Sequence, residues 1–558
     1  MTVPLRDPDV VMKLARMGAF HQSRLSFMRV LLRRMKREGW RFDRPVFDID
    51  GKGVGVAVYS AHGPERSYSL VAFAHDLPPE MRSDRVIATA WDATFTLFDG
   101  VPTQADIDRL AGNVPLQEAG RVTDRELSVS RANRSVRLWE YVVGELAAGR
   151  QPEAEKIAQV GYLMRTTAVY GSGKLGAADR ELTCDRPEFK APFQIEMLSV
   201  FLTRQFVMDL IDHMAHARAP QTAATMDPGL RRGFGIGNST GLGMAPYLIN
   251  HPVLLNNWIT ARETALARVR SLPKADQISV AAFKSFVARA RTSADRWRSD
   301  HPLQIEKLAD LRGDLKKLSD WLGHNQLDGD QPWNRLWLWA ESNLGLEGQE
   351  QLFSLMLEPH GDLIDDLGDT MHAEEAPAAR IDGQMPLETL KALTENVHAW
   401  ALDTDWSARA NCENVWYTSE EKLEPRLGSR FDEDLEAYEL PLCPARDAAH
   451  MHADLQTSDA RTTGGFLARH PEHRHIARRV QIAGRFPYAE IRDNTISDKV
   501  LPIDLLRAKL AIFGATHFDP RSDRWVRINM FQHAPLPFEF DQSDADNWTL
   551  PELKEDKA

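Results

Sequence analysis

Residues 46–60 read VFDIDGKGVGVAVYS, and they show how the fold begins. Valine, isoleucine, phenylalanine and tyrosine are frequent here, and Asp50-Gly51 is a turn signal, so the stretch is typical of β-structure. The stretches YSLVAFAHD (68–76) and VIATAWDATFTLFDG (86–100) are similarly β-rich. We therefore predict a small N-terminal antiparallel sheet, with a helix covering one of its faces.

The residues before this sheet predict a basic amphipathic helix. Asp7 and Pro8 fit an N-cap and a first helical residue, and Val10, Val11 and Leu14 follow at helical spacing. A helix packed on its own domain is favoured over a membrane-surface or transit role, because acidic residues interrupt the basic segment.

From about residue 129 apolar residues recur at three- and four-residue spacing, which predicts helices. The helical pattern includes SRANRSVRLWEYVVGELAAG (130–149) and EAEKIAQVGYLM (153–164), whereas the chain after about residue 410 is irregular. The predicted fold class is α+β and predominantly α-helical. Its predicted regions are a small α/β domain (1–125), a central helical domain with two glycine-rich loops (126–405) and a mixed, Arg/His-rich C-terminal region (406–558).

Composition restricts the function classes. The 558-residue chain has a formal net charge of -12, which argues against nucleic-acid binding as its main role. Nothing in it approaches the ~18 uninterrupted apolar residues of a membrane span. It has 3 cysteines, few and widely separated, which fits a reducing compartment. We predict a cytoplasmic protein with no nucleic-acid and no membrane partner.

The first glycine-rich loop, RTTAVYGSGKLGAADRE (165–181), contains GSGK but does not match a nucleotide-binding P-loop. That motif needs glycine at position 168 and Ser or Thr after the lysine, and this chain has Ala168 and Leu175. Backbone N–H groups among the glycines suit an anion, and the alternative is a tight surface turn. The predicted site residues in this loop are Lys174 and Tyr170 for catalysis, with Ser172 and Gly173 for binding.

The second loop, GFGIGNSTGLGMAPYLINHP (233–252), has five glycines within eleven residues. A dinucleotide site requires a strand before the glycines, and the preceding DPGLRRGF does not predict one. A glycine-rich loop that leads into a helix N-terminus, where unpaired N–H groups favour an anion, is the preferred interpretation. The alternative is a crossing where helices pack too closely for Cβ atoms. The predicted residues are Ser239 and His251 for catalysis, and Arg232, Asn238 and Thr240 for the anion.

Within this loop, GNSTGLGMAPYLIN resembles the mobile loop of the fumarase/aspartase superfamily, G-S-S-x-M-P-x-K-x-N, over about fifteen residues. The resemblance implies a lyase with Ser239 as the base. This chain departs from the pattern in having extra residues before Met244, an extra alanine before Pro246 and no lysine at the expected place.

Histidines are concentrated in the C-terminal region, and HMH (450–452) in an extended segment would place two imidazoles on one face. No spacing matches a known structural zinc pattern, so no metal ligand is predicted, and whether these histidines bind a metal stays open. The run ARHPEHRHIARR is better explained as a cationic segment, in which Arg479 is a predicted substrate contact.

The sequence therefore predicts an enzyme that acts on a small anionic metabolite, with both glycine-rich loops in one pocket. General acid/base chemistry of a lyase or hydrolase fits, because no nicotinamide, flavin or ATP fingerprint is present and no cofactor is expected. A homo-oligomer is expected. The alternative is a structural or scaffolding oligomeric helical protein without catalytic activity.

Overall fold

The structure is a computed structural model, and its description is confined to part of the chain. The described residues are 2–78, 80, 91–112, 123–170, 183, 185–238, 251–297, 302–372, 380–408, 444–492, 502–515, 517–520 and 526–550.

Nine strands of the described residues form one mixed sheet, in the order β1-β2-β3-β4-β5-β6-β7-β9-β8. All neighbouring strands are antiparallel except β6 and β7, which are parallel. The fold is thus α+β, but the sheet is larger than the small N-terminal sheet that the sequence predicted. The strands are β1 Arg41–Ile49, β2 Gly55–His62, β3 Ser67–Ala74, β4 Ala93–Asp99, β5 Glu126–Arg134, β6 Tyr162–Tyr170, β7 Gly235–Asn238, β8 His517–Pro520 and β9 Val526–Met530.

Helices surround this sheet and supply much of the remaining described structure. They are α1 Pro8–Val11, α2 Phe27–Arg37, α3 Gln104–Ala111, α4 Trp139–Ala147, α5 Ala154–Val160, α6 Gln194–Arg218, α7 Pro228–Arg232, α8 Pro252–Arg270, α9 Gln277–Arg296, α10 Pro302–His324, α11 Pro332–Asn343, α12 Leu346–Leu357, α13 Gly361–Ile364, α14 Leu387–Leu402, α15 Pro444–Thr457, α16 Thr463–Arg469, α17 Arg474–Arg485 and α18 Pro502–Phe513. Short 3-10 turns are Leu14–Arg16, Pro187–Phe189, Glu358–His360, Asp365–Thr370, Pro471–His473 and Pro537–Gln542.

The sheet is covered on both faces. Phe95 of β4 packs edge-on against Phe206 of α6, with ring centroids 5.5 Å apart. Because side chains alternate along a strand, the neighbouring positions point to the other face. There Ile107 and Leu110 of α3 join Val71 in a separate buried cluster. The first four strands therefore match the β-structure that the sequence predicts. They are predictable because the alternating pattern of a strand is visible within a short stretch of sequence.

Two stretches predicted as helix contain strands instead. Residues 130–134 belong to β5, and the helical pattern that starts at Glu153 ends at Val160, after which β6 begins at Tyr162. Asn133 accepts a hydrogen bond from the Asp92 backbone at 3.1 Å, and the backbone N–H of Arg134 donates to the Asp92 carboxylate at 2.9 Å. These long-range bonds let polar residues occupy a buried strand, which periodicity alone does not reveal.

The basic N-terminal segment is divided and packs within the protein. The predicted cap is present, since the Asp7 carboxylate accepts from the Asp9 backbone, but α1 has only four residues and α2 begins at Phe27. Arg29 on α2 has no exposed side-chain surface and forms an ion pair with Glu358. The segment is therefore a structural element of its own protein, as the sequence favoured.

The 25-residue helix α6 connects the sheet to the C-terminal residues. Its Arg204 is fully buried and donates to the carbonyls of Phe234 at 2.6 Å, Ala534 at 2.7 Å and Arg232 at 3.1 Å. A guanidinium can satisfy several acceptors at once. Arg204 therefore fixes the start of β7 relative to α6.

Helices α14 to α17 have a small core of their own, which includes Leu390, Met451 and Phe466. The predicted extended HMH segment is wrong, because residues 450–452 lie in α15. Ala448, Met451 and Leu455 are buried at helical spacing, and α15 packs on α14. Across the described residues, none of the helices combines the length and apolar character needed to cross a bilayer.

Candidate functional site

One edge of the sheet gathers the ends of its central strands. In the parallel pair, Thr166 of β6 lies opposite Asn238 of β7, and both strands end toward this edge. Their antiparallel neighbours β5 and β9 begin there. The glycines of the first segment follow β6, whereas only Gly241 and Gly243 of the second segment follow β7. The carboxyl ends of parallel strands are where ligands bind in many α/β sheets.

Buried polar side chains occupy these strand ends. Arg165 and Thr166 of β6 are 4% and 3% exposed, and Asn238 of β7 is 7% exposed. On β5, Arg131 stacks over the ring of Trp91, with its guanidinium carbon 4.0 Å from the ring centroid. Burying polar groups is costly unless they are hydrogen-bonded. Several buried side chains near these strand ends are therefore polar.

A cluster of four polar residues lies at the same edge, where β3 begins and β4 ends. Tyr68 of β3 is paired with Asp99 of β4. Arg186 donates to the Asp99 carboxylate at 2.7 Å and to the Tyr68 hydroxyl at 3.4 Å. The Tyr68 hydroxyl donates in turn to Glu188. We call Tyr68, Asp99, Arg186 and Glu188 the Tyr68 cluster.

Aromatic walls surround the phenol of Tyr68. Trp40 stacks on its ring at 6.0 Å between centroids, and Phe189 lies at 4.8 Å on a tilted plane. Burial, reinforced by the hydrogen bond to Glu188, raises the pKa of Tyr68 well above its usual range. The phenol therefore stays protonated at neutral pH and acts as a hydrogen-bond donor.

Arg186 supplies positive charge to the cluster. Burial alone would lower the pKa of Arg186, but the hydrogen bonds with Asp99 and Tyr68 outweigh it and raise the pKa. The guanidinium is thus a fixed cation, with 9% of its side chain exposed. Its charge is matched by Asp99, and the single hydroxyl proton of Tyr68 is donated to Glu188, so the cluster is an internally hydrogen-bonded network.

Several predicted site residues lie outside the described residues. These are Lys174, Ser172 and Gly173 of the first glycine-rich segment, and Ser239 and Thr240 of the second. For Tyr170 only the backbone is described, as the last residue of β6. Asn238 is the last residue of β7, so the structure places the starts of both segments on neighbouring strands.

The second segment also differs from the prediction, because its first part is a strand. Gly235 and Gly237 belong to the buried strand β7 rather than to a loop. A Cβ at Gly235 would lie 2.6 Å from the Met530 carbonyl oxygen, and one at Gly237 would lie 2.7 Å from the Tyr162 ring. These glycines allow close packing of neighbouring strands, whereas the predicted alternative attributed close packing to helices.

Arg232 is not brought to the same place as Asn238. Arg232 ends α7 ahead of β7, and a four-residue strand of roughly 13 Å separates it from the carboxyl end. Its guanidinium donates to Glu539 at 2.8 Å and to Ser543 at 3.1 Å. One small anion would not contact both residues, because they lie at opposite ends of β7.

His251 and Arg479 lie near a different group of elements. His251 precedes α8, whose Val253 packs with Ile482 of α17 and with Ala489. Arg479 donates to both carboxylate oxygens of Glu490 at 2.9 and 2.8 Å. The charge of Arg479 is thus matched inside the protein.

Sequence reasoning missed the Tyr68 cluster. Tyr68 is an aromatic residue in a β-rich stretch, which is typical of a core position. Arg186 and Glu188 lie in an irregular stretch after the first glycine-rich segment. Only the pairing of β3 with β4 places Tyr68 beside Asp99, and no local pattern predicts that register.

Comparison with protein-family models, with the curated proteins and with the solved structures found no match to this chain. The site is therefore interpreted from its own geometry and chemistry.

Proposed function

We propose that this protein is an enzyme that binds a small anionic metabolite, a carboxylate or phosphate, at the carboxyl ends of β6 and β7. The observation that carries the proposal is the parallel pairing of these two strands, of which β6 is followed by Gly171, Gly173 and Gly176, and β7 by Gly241 and Gly243. Strand ends of this kind form crevices for ligands, and backbone N–H groups of glycine-rich segments suit anions.

The proposed chemistry is general acid/base catalysis of a lyase or hydrolase. Lys174 stabilises negative charge or acts as the base, and Ser239 takes part in proton transfer. The Tyr68 cluster lies at the same edge of the sheet, but its guanidinium is paired with Asp99 and its phenol with Glu188, so the proposed chemistry does not depend on it.

One observation favours the alternative, a structural or scaffolding protein. Gly235 and Gly237 have packing roles in β7, so part of the glycine-rich stretch is explained without a ligand. The two functions differ in what they predict for Lys174. A scaffold does not need its charge, whereas an anion-binding enzyme does.

The test is anion binding by the full-length protein, with inorganic phosphate and succinate as the probes. Isothermal titration calorimetry and melting temperatures compare wild type, Lys174→Ala and the control Lys316→Ala, which removes an exposed lysine of α10. We expect saturable binding of at least one anion by wild type and by the control, and an at least about tenfold weaker affinity for Lys174→Ala.

Binding that is absent, or equal in all three proteins, would contradict the proposal and favour the scaffold. Sodium chloride at matched ionic strength separates specific binding from general screening.

The proposal also places the enzyme in the cytoplasm as a homo-oligomer. Light scattering after size-exclusion chromatography measures the oligomeric state directly. A monomer at micromolar concentration would contradict that part of the proposal without affecting the anion site.

A further inference from the structure

Two helices and a 3-10 turn bring two histidines and two carboxylates together on the α14–α17 cluster. Asp454 lies on α15, His470 follows α16, and Glu472 and His473 belong to the 3-10 turn that precedes α17. One nitrogen or oxygen of each residue lies within 4.8 Å of those of the other three. We call these four residues the histidine site.

We propose that the histidine site binds a divalent transition-metal ion of the zinc class. Two imidazole nitrogens and two carboxylate oxygens form a donor set that Zn²⁺ accepts, with four-coordinate geometry. The proposal goes beyond the sequence analysis, which predicted no metal ligand and left metal binding by these histidines open. Linear spacing could not reveal this site, because Asp454 joins the H-P-E-H segment only through the packing of α15 on α17.

Three of the six distances between the ligand atoms lie near the spacing of a tetrahedral ion. Bonds of about 2.0–2.1 Å to a tetrahedral Zn²⁺ place ligand atoms ~3.3 Å apart. His470 Nδ1 lies 3.4 Å from Glu472 Oε1 and 3.7 Å from Asp454 Oδ2. His473 Nε2 lies 2.7 Å from Asp454 Oδ2 as a hydrogen bond. Adjustments of about half an ångström bring these three pairs to the tetrahedral spacing, and the other three pairs lie within 4.8 Å.

The two imidazoles are held in position by the core beneath them. The buried ring of Phe466 stacks on His470 at 4.8 Å and on His473 at 5.9 Å between centroids. The backbone N–H of His470 donates to the Phe466 carbonyl at 2.9 Å, and that of His473 donates to the His470 carbonyl at 3.2 Å. Both rings are therefore held against the core. They also stack on each other, with centroids 5.8 Å apart and planes 20° apart, so a ring must rotate for both nitrogens to reach one ion.

The site is open on one side. The side chain of His473 is 8% exposed, whereas those of Asp454 and Glu472 are 43% and 60% exposed. An ion therefore has direct access from solvent. Once bound, it would link α15 to the turn between α16 and α17, and thus stabilise the α14–α17 cluster.

The competing explanation is structural. The hydrogen bond between His473 and Asp454 by itself ties α17 to α15, with no metal involved. Both explanations predict that His473→Ala destabilises the protein. Only a metal site predicts selective binding of Zn²⁺. It also predicts that the visible absorption of Co²⁺ changes when Co²⁺ binds in place of Zn²⁺.

The experiment uses full-length protein, first treated with a chelator and then dialysed. Zn²⁺ alone is titrated by calorimetry, and Co²⁺ is followed by its visible absorption, which reports coordination geometry. The variants are His470→Ala, Glu472→Gln and His473→Ala. His475→Ala is the matched control, because it removes a more exposed histidine of α17 that lies 3.5 Å from Asp447.

We expect one Zn²⁺ per chain and a higher melting temperature in its presence. His470→Ala should weaken binding by more than about tenfold, and His475→Ala should leave it unchanged within about twofold. If His473→Ala does not fold, the Zn²⁺ affinities of His470→Ala and of the exposed Glu472→Gln test the proposal. No binding by wild type, or equal weakening by His470→Ala and His475→Ala, would overturn the proposal.

Discussion

Arg29 and Glu358 form a two-pronged ion pair in the protein interior, with N–O distances of 2.6 and 2.7 Å across 329 residues of chain. The carboxylate also accepts from His21 at 2.9 Å. Each side chain is at most 1% exposed. The pair therefore joins α2 to the end of α12, and its two charges depend on each other.

Removing the cation alone should destabilise the protein strongly. Arg29→Met leaves the Glu358 carboxylate buried beside His21, and breaking a buried pair from one side typically costs about 3–5 kcal/mol. We expect a large decrease in the urea midpoint of unfolding. Arg218→Met is the control, because Arg218 pairs with Glu140 at the surface and such pairs contribute little. Equal midpoints for the two variants would contradict this prediction.

Acid should weaken the same pair. Burial alone would raise the pKa of Glu358, but the charge and hydrogen bonds of Arg29 hold it well below its usual value of 4.5. A carboxylate with a lowered folded pKa stabilises the fold above its unfolded pKa, and the contribution is lost as pH falls below that value. The free energy of unfolding should therefore fall between about pH 5 and pH 3, and less steeply in Glu358→Gln. If the free energy of unfolding of Glu358→Gln falls as steeply with pH as that of wild type, the assignment of this pH dependence to Glu358 is refuted. Glu140→Gln is the control.

His398 should oppose stability in mild acid. It is buried at a kink in α14, and neither ring nitrogen has a hydrogen-bond partner among the described residues. Burial lowers its pKa below the usual 6.5, so the unfolded chain takes up the proton more readily. His398→Leu should raise the melting temperature relative to wild type, by more at pH ~5.5 than at pH ~7.5. If the difference in melting temperature between His398→Leu and wild type is the same at both pH values, protonation of His398 does not explain it. The partly exposed His452→Leu serves as the control.

Arg204 should not be replaceable by lysine. The single ammonium of Arg204→Lys cannot reach the carbonyls of Phe234, Ala534 and Arg232 together, and unsatisfied buried acceptors cost ~1–3 kcal/mol each. Chemical denaturation should show a clear loss of stability. Arg218→Lys, on the exposed end of the same helix, should behave like wild type. If Arg204→Lys is equally stable, the contacts to the carbonyls are not important.

Gly235 should tolerate no side chain. In Gly235→Ala the new Cβ would lie 2.6 Å from the Met530 carbonyl oxygen, so the strands must separate. Gly313 on α10 has open space around it, and Gly313→Ala should stabilise its helix by about 0.5–1 kcal/mol. Opposite shifts in melting temperature are expected. A stabilising effect of both substitutions would show that β7 and β9 do not pack as described.

These positions show what the sequence could predict. The strands near residues 46–60 were recognisable because hydrophobic composition and turns are local signals. β5 is predicted as helix from its sequence, because the contact that places the buried Asn133 in a strand, a hydrogen bond accepted from the Asp92 backbone, comes from a residue far away in the chain. β7 was hidden because its glycines are explained only by Met530 and Tyr162.

The candidate site was also predictable only in part. The sequence indicated two glycine-rich segments, and the structure places residues of both on the neighbouring strands β6 and β7, with the end of β7 at Asn238 opposite Thr166 of β6. The Tyr68 cluster forms only because Tyr68 pairs with Asp99, and the histidine site forms only because α15 packs on α17. Both depend on tertiary contacts that no spacing rule contains.

The position of β7 between β6 and β9 has a consequence for synthesis. Gln532 donates to the Gly233 carbonyl, 299 residues earlier, so one flank of β7 lacks its partner until the ribosome has made β9. An unpaired strand edge is prone to pair with the wrong chain. This flank of β7 can therefore be closed only after residues 526–530 have been synthesised.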